Sequence, residues 1–258
     1  MADPPAPRQD PFAALRRATP ARIGLGRAGQ GLPTAPMLAF QLAHARACDA
    51  VHAVLDVEHV QAALGRPVLV VDSAAPDREA YLQDPNLGRR LAPGSPALPR
   101  GRHDLVVIIA DGLSATAVHA HAAPVALGLI RRLADWDIAP IVAARQGRVA
   151  IGDPIGEALG ARLAVVLIGE RPGLSAADSL SAYITWAPAT GKRDHERNCV
   201  SNIRPDGLQP ERAADKIAWL LREARRLELS GVMLKDRQPG EDAQPAVQSS
   251  AATSSLAP

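Results

Sequence analysis

The amino-acid sequence predicts an α/β fold, and three observations carry that prediction. The apolar run LVVIIA at 105–110 is followed at once by the turn DGLSA and an alanine-rich helical stretch. The run LAVVLI at 163–168 repeats the rhythm and leads straight into GERPGLS. Both runs are continuously apolar rather than alternating, as strands are when a sheet is covered on both faces. The expected architecture is a buried-strand sheet with flanking helices, Rossmann-like, plus a small mainly helical N-terminal region.

In chain order, residues 1–12 are rich in Pro and polar groups and begin outside the core. Residues 34–52 form the first helical stretch, with Pro36 near its start and Leu38, Leu42, Ala45 and Ala53 on an apolar side. Gly65 and Pro67 separate it from VLVV at 68–71, a short buried strand. Residues 76–101 alternate turn formers with short apolar pieces and read as an ordered excursion or connection. After the strand at 105–110, a further strand is expected at 138–143, a helix around 153–159, the strand at 163–168, and another containing 183–186. Pro210 opens a long amphipathic helix ending near Leu229. Beyond Met233 no apolar face recurs, which is the pattern of a flexible tail. The resulting division is 1–21, flexible or partly helical; 22–100, helical and connecting; 101–235, the α/β region; and 236–258, the tail.

Composition narrows the class. A chain of 258 residues that is 47% hydrophobic can bury one substantial core, with a smaller N-terminal layer packed on it. A formal net charge of +2 argues against a general polyanion binder, because 29 basic residues nearly cancel 27 acidic ones. Cys48 and Cys199 supply neither a disulfide framework nor a four-cysteine metal site, so a reduced, intracellular chain is expected. No run reaches the roughly 20 apolar residues that cross a bilayer, and the first twelve residues lack the pattern of a secretory signal.

Several short patterns invite chemistry. Gly24, Gly26 and Gly29 spell G-x-G-x-x-G, with Asp49 at an approximate acidic-residue distance. A dinucleotide site needs that motif between a strand and a helix, whereas here RRATPARI precedes it and Pro33 and Pro36 interrupt the helix that should begin within it. A compact loop is the better reading. Asp111 and Ser114 stand at the carboxyl end of a strand, where open α/β sheets bind ligands, but both are also ordinary turn and cap residues. Gly152, Asp153, Pro154 and Gly156 mark a turn into a short helix that Asp153 can cap, and Val149 just before them can line an apolar ligand surface, although a lone valine is far more often core.

Glu170 directly follows a buried strand in a loop constrained by Gly169, Pro172 and Gly173. Its carboxylate either accepts hydrogen bonds from a ligand or pairs with Arg171 or another arginine. Cys199, in RNCVSNIR, has His195 nearby in sequence, which does not establish attack geometry; packing or ligand contact is the stronger reading. His44, His52, His59, His103, His119 and His121 form no zinc spacing, since His119 and His121 diverge by about 200° on a helix.

An ordered set of longer segments is more specific than any of these. RIGLGRAGQGLPT at 22–34, FQLAHARACDAVH at 40–52, DGLSA at 111–115, RVAIGDPIG at 148–156, LIGERPGLS at 167–175 and NCVSNIRPDG at 198–207 resemble successive segments of the ethanolamine ammonia-lyase small subunit. The resemblance runs from Arg22 to Met233.

The resemblance implies a subunit with no catalytic residue of its own, acting with a large catalytic subunit whose TIM-barrel active site converts ethanolamine to acetaldehyde and ammonia. It implies adenosylcobalamin as cofactor, held between the two subunits, and makes 101–235 the cobalamin-binding region. By resemblance Val149 supplies apolar packing, Glu170 polar orientation and Cys199 a close contact to the cofactor. The sequence lacks D-x-H-x-x-G, compatible with a cobalt that keeps its own benzimidazole ligand. Neither nucleic acid nor membrane is an expected partner. The resemblance also implies a cytoplasmic hetero-oligomer, and relatives enter bacterial microcompartments, although the short Pro-rich start here carries no clear address for one. The alternative class is a noncatalytic assembly or nucleotide-binding module in which DGLS and GERPGLS only shape an interface.

Overall fold

Eight consecutive residues of one strand, His103–Ala110 (β2), set the centre of the fold, and six of them, from Leu105, are fully removed from water. The structure, a computed structural model, describes residues 10–238. The tail expected at 236–258 therefore lies largely outside the described residues, as does the stretch 1–9.

Four helical pieces and one strand precede β2: Ala13–Ala18 (α1), Thr34–His52 (α2), Val57–Leu64 (α3), Leu69–Asp72 (β1) and Arg78–Gln83 (α4). After β2 come Ala115–Arg132 (α5), Val142–Arg145 (β3), Gly152–Leu159 (α6), Ala161–Gly169 (β4), Leu180–Trp186 (β5), Arg197–Ile203 (β6) and Pro210–Leu227 (α7). The six strands form one sheet in the order β1-β3-β2-β4-β5-β6. The first four are parallel, while β5 and β6 are antiparallel to their neighbours.

That mixed sheet amends the expected plan. Helices α5 and α6 carry the chain between parallel strands, as apolar runs separated by helical periods demand. No helix lies between β4 and β5, so the chain turns back through residues 170–179 and pairs antiparallel. The strand expected at 138–143 forms as Val142–Arg145, with Ile138 making only an isolated bridge to Leu105. The N-terminal region also contributes to the sheet, because β1 pairs in register with β3.

Alternation along the strands divides the core in two. Leu105, Val107, Ile109, Leu163, Val165 and Leu167 face α5 and α7. Val106, Ile108, Ala110, Ala164, Val166 and Ile168 face α6, where Ile155 and Leu159 cover them. Ser114 caps α5 by accepting from the Ala117 N–H at 3.2 Å, worth about 1 kcal/mol for such a cap. Helix α7 opens with Pro210 at its first turn and buries Ala213, Ala214, Ile217, Ala218, Leu220, Leu221 and Ala224. Gly128 lets α5 approach it closely, since a Cβ there would sit 2.8 Å from the Ala214 methyl.

Candidate functional site

Two glycines knit the carboxyl ends of β2 and β4 together. Gly112 has a positive φ of 56°, and a Cβ on it would strike the Gly169 carbonyl. A Cβ on Gly169 would strike the Ser114 carbonyl and come within 2.7 Å of the Asp111 carbonyl. Leu113 N–H donates to Gly169 O at 3.0 Å, and Ser114 Oγ donates to Ala177 O at 2.9 Å. The DGLS turn is thereby fixed against the loop that carries Glu170.

Asp111 takes the structural one of its two readings. Its carboxylate accepts from the Gln146 N–H at 2.9 Å and the Gly147 N–H at 3.0 Å, with Arg78 Nη1 at 3.7 Å. It pins the end of β2 to the turn after β3. Burial pushes its pKa up to about 6, against the opposing backbone donors and Arg78. Arg78 also donates to Val51 O at 2.7 Å and Gly112 O at 2.9 Å. Tyr81 lies under both Arg78 and Arg148, 4.7 and 4.2 Å from its ring, and its hydroxyl donates to Gly147 O. A cavity of about 390 Å³ opens here at the ends of β1, β2 and β3, lined by Ser73, Arg78, Asp111, Arg145 and Gln146 among others.

A different surface forms on the far side of β4. Ser181, Tyr183 and Thr185 pair with Ile168, Val166 and Ala164, so they share the α6 face of the sheet. Cys199 pairs with Tyr183 and Arg197 with Thr185, which brings both β6 residues to the same face. Helix α6 packs on β2 and β4, and its Asp153 reaches across to Arg197 at the start of β6. Tyr183 is left half-buried and Cys199 exposed. The result is a polar shelf beside a helix.

Glu170 stands at the rim of that shelf. The Ser181 hydroxyl and the Asn202 N–H, the latter at 3.1 Å, both donate to its Oε1. Asn202 reaches it from a left-handed backbone conformation, φ 58°, at the irregular end of β6. Ser181 thus ties Glu170 to β5, on the same face as Tyr183, which lies opposite Cys199. The expected alternative of an Arg171 salt bridge gives way to these two donors.

Among the described residues, no base activates the thiol. Desolvation raises the Cys199 pKa and the Glu170 charge adds to it, against hydrogen bonds from Tyr183 and Ser181. Burial likewise pushes the Tyr183 hydroxyl up, with Cys199 and the Glu170 and Asp194 charges adding to it. A thiol held protonated makes a contact surface and a poor nucleophile.

Val149 opens the 3₁₀ turn Val149–Ile151 that runs into α6. It is half-buried against the same core layer on which Tyr183 rests. Gly152 presses on Val166, the β4 partner of Tyr183, which puts the end of this turn over β4. Glu170 and Cys199 thus meet neighbouring β5 residues, Ser181 by hydrogen bond and Tyr183 by strand pairing, and Val149 joins them only by facing the same side of the sheet.

Asp153, in the first turn of α6, is buried against Arg197. Two hydrogen bonds of 2.7 Å join them, and Arg197 adds Thr185 Oγ1 at 2.8 Å. Burial pushes the Asp153 carboxyl upward, and the guanidinium opposes that shift. Sequence reasoning missed Ser181, Tyr183, Asn202 and this pair. The available signal was the alternation in SAYIT, which puts Ser181, Tyr183 and Thr185 on one face.

The other patterns disperse. Gly24, Gly26 and Gly29 all have positive φ in the coil between α1 and α2, with no strand before them, so the fingerprint builds a loop that Arg16 ties at Gly24 O. His119 Nε2 accepts from the Asp56 N–H and packs edge-on to His59, while His121 meets Asp178. Among the described residues no cluster of His, Cys, Asp and Glu is arranged to hold a metal, and no helix is long and apolar enough to cross a membrane.

Comparison with known proteins identifies the family to which these segments belong. The family described as "Ethanolamine ammonia-lyase light chain (EutC)" matches residues 9–235. A protein of Ralstonia nicotianae named ethanolamine ammonia-lyase small subunit is 53% identical over 242 residues, covering 88% of this chain and 89% of its own. Relatives of that name from Xanthomonas campestris and Azotobacter vinelandii are 53% and 52% identical, over 249 and 248 residues. They cover 92% of this chain each, and 91% and 92% of their own lengths. A match of this length and identity, spanning the loops that build the shelf, leaves one assignment: the chain belongs to the ethanolamine ammonia-lyase small-subunit family.

Proposed function

We propose that this chain is the small subunit of an adenosylcobalamin-dependent ethanolamine ammonia-lyase, and that its polar shelf forms one wall of the cofactor site against a large catalytic subunit. The observation that carries the reading is the partly exposed α6 face of β5 and β6, where Tyr183 and Cys199 reach the surface beside Glu170, which the buried Ser181 holds. Cobalamin is a wide, flat group fringed with amide donors. A shelf with an apolar margin at Val149 and a carboxylate at its rim suits such a group.

The residues divide the work. The hydrogen bonds within the described residues that hold Glu170 use Oε1, so Oε2 is the oxygen positioned for an amide donor. Ser181 and Asn202 orient it. Val149 supplies van der Waals contact and excludes water from one margin, and Cys199 supplies a small neutral surface. Adenosylcobalamin, when bound, supplies the radical chemistry that breaks the carbon–nitrogen bond of ethanolamine. This chain's part is to bind, orient and shield; the groups that touch ethanolamine belong to the large subunit.

The test is reconstitution. Separately purified large and small subunits are mixed with adenosylcobalamin, and acetaldehyde formation and bound-cofactor absorbance are recorded. Activity is expected only in the mixture, and Glu170→Ala is expected to weaken cofactor retention. Ethanolamine-dependent acetaldehyde formation by this chain alone would overturn the division of labour, and unchanged cofactor affinity in the variant would remove Glu170 from the site.

A further inference from the structure

Helix α2 is a long helix that scarcely touches its own fold. Ala50 is the buried residue of its nineteen, and its packing is against α5, near its carboxyl end. Arg78 holds that same end through Val51 O. The first ten residues, 34–43, carry no charge, yet Met37, Leu38, Phe40 and Leu42 are 39, 58, 40 and 52% exposed. Most of a helix's stability in a protein comes from packing its apolar face.

The distribution of apolar residues says what kind of surface covers it. At about 100° per residue, Leu38, Leu42, Ala39, Ala43, Ala47 and Phe40 sweep an arc of about 200°. Arg46 and Asp49 enter that arc only in the last turns, and Gln41, His44, Cys48 and His52 lie on the opposite stripe, with Met37 and Ala45 among them. Ala50, the residue that meets the core, lies inside the arc, so the bare part continues the chain's own contact toward the amino end. A helix lying on one flat surface buries an arc of about 100°. An arc twice as wide needs two walls, which a second α2 laid alongside does not provide.

Position supplies the occupant. The arm that leads into α2 is tied to the Glu170 loop, because Arg22 Nη2 donates to Leu174 O at 3.2 Å. Leu32 and Leu174 add exposed apolar surface between helix and shelf, at 44 and 39%. A partner lying over the shelf meets this arm without a break.

We propose that α2 is a clamp helix, inserted into an apolar two-walled groove of the large catalytic subunit that also covers the shelf. The proposal rests on the function inferred above. It assigns the helix a role separate from cofactor contact: α2 sets the affinity between subunits, and the shelf sets affinity for the cofactor.

Binding of the purified large subunit to this chain is measured by titration with adenosylcobalamin present, for the unaltered chain, Leu38→Glu with Leu42→Glu, and Leu38→Met with Leu42→Met. The Glu pair is expected to weaken subunit binding 100-fold or more, and the Met pair less than fivefold, with the thermal midpoint of the chain alone unchanged in both. Sedimentation of the chain alone completes the test. Subunit affinity of the Glu pair within twofold of the unaltered chain overturns the clamp while leaving the cofactor reading intact. So does a dimer of the unaltered chain that the Glu pair dissolves, because a second copy then covers the helix. If the unaltered chain does not bind the large subunit at all, the function proposed above fails first and the clamp falls with it.

Discussion

Arg197 and Asp153 face each other across the gap between β6 and α6, joined by two hydrogen bonds of 2.7 Å, with side chains 1 and 3% exposed. The pair ties the open end of the sheet to the helix that borders the shelf. Removing one partner leaves a buried charge without its counterion, at a cost of about 3–5 kcal/mol. Arg197→Ala is therefore expected to lose that much in urea unfolding. Arg197→Met combined with Asp153→Leu is expected to recover most of it, because the desolvation cost disappears with both charges. A single variant within 1 kcal/mol of the unaltered chain would show that the pair contributes little.

Asp111 gives a pH dependence of defined sign. Its pKa rises from 3.8 unfolded to about 6 folded, with burial as the largest cause. Between those values the folded state holds a proton that the unfolded state has released, so stability from this group is full below pH 4 and falls as pH rises to 6. The loss is on the order of 3 kcal/mol. Asp111→Asn is expected to remove that slope from urea-unfolding curves taken at pH 4, 5, 6 and 7, measured as the difference between the two proteins. Parallel pH profiles would contradict the assignment.

The parts of this fold that were legible are those whose local pattern matches their tertiary setting. Residues 34–52 read as a helix and form one over the same span, and LVVIIA and LAVVLI fall inside β2 and β4. Strand β6 was not legible, because RNCVSNI lies at the sheet edge with polar residues on its open face and offers no apolar run. Helices α3 and α4 are too short for periodicity, although Asp56 and Asp77 cap them and are visible as N-cap types. For the site, the positions of Val149, Glu170 and Cys199 came from resemblance. Their relation did not, because the meeting of Cys199 with Tyr183 depends on the register of two antiparallel strands.

Gly169 is expected to tolerate no side chain. A Cβ there meets the Ser114 carbonyl and lies 2.7 Å from that of Asp111, both backbone atoms held by their own hydrogen bonds. Gly169→Ala should cost on the order of 3 kcal/mol through forced displacement of the β2–α5 turn. Thermal unfolding reads this directly, and an unshifted midpoint would mean that the two loops are free to separate.

Cys199 chemistry separates a contact thiol from a reactive one. With Cys48 replaced by Ser, alkylation by iodoacetamide reports Cys199 alone among the cysteines. Desolvation and the Glu170 charge raise its pKa, so labelling is expected to stay slow at pH 8 and to accelerate at higher pH than for an ordinary free thiol. Glu170→Gln should bring the acceleration to lower pH by removing the negative neighbour. Rapid labelling at neutral pH would reveal an activating group that this geometry lacks.

The charge of Glu170 and its hydrogen-bonding shape can be separated by two substitutions. Glu170→Gln keeps a carbonyl oxygen for the Ser181 and Asn202 donors, whereas Glu170→Ala leaves both without their acceptor. A hydrogen bond to a charged group contributes about 1.5–3 kcal/mol against about 1 for a neutral one. Glu170→Gln is therefore expected to weaken cobalamin binding about tenfold in the mixed complex, with little change in the thermal midpoint of the chain alone. Glu170→Ala should weaken binding further and also lower that midpoint, because the Asn202 end of β6 loses its anchor. Cofactor affinity unchanged in Glu170→Gln and lost only in Glu170→Ala would mean that geometry, and not charge, is what Glu170 contributes to the shelf.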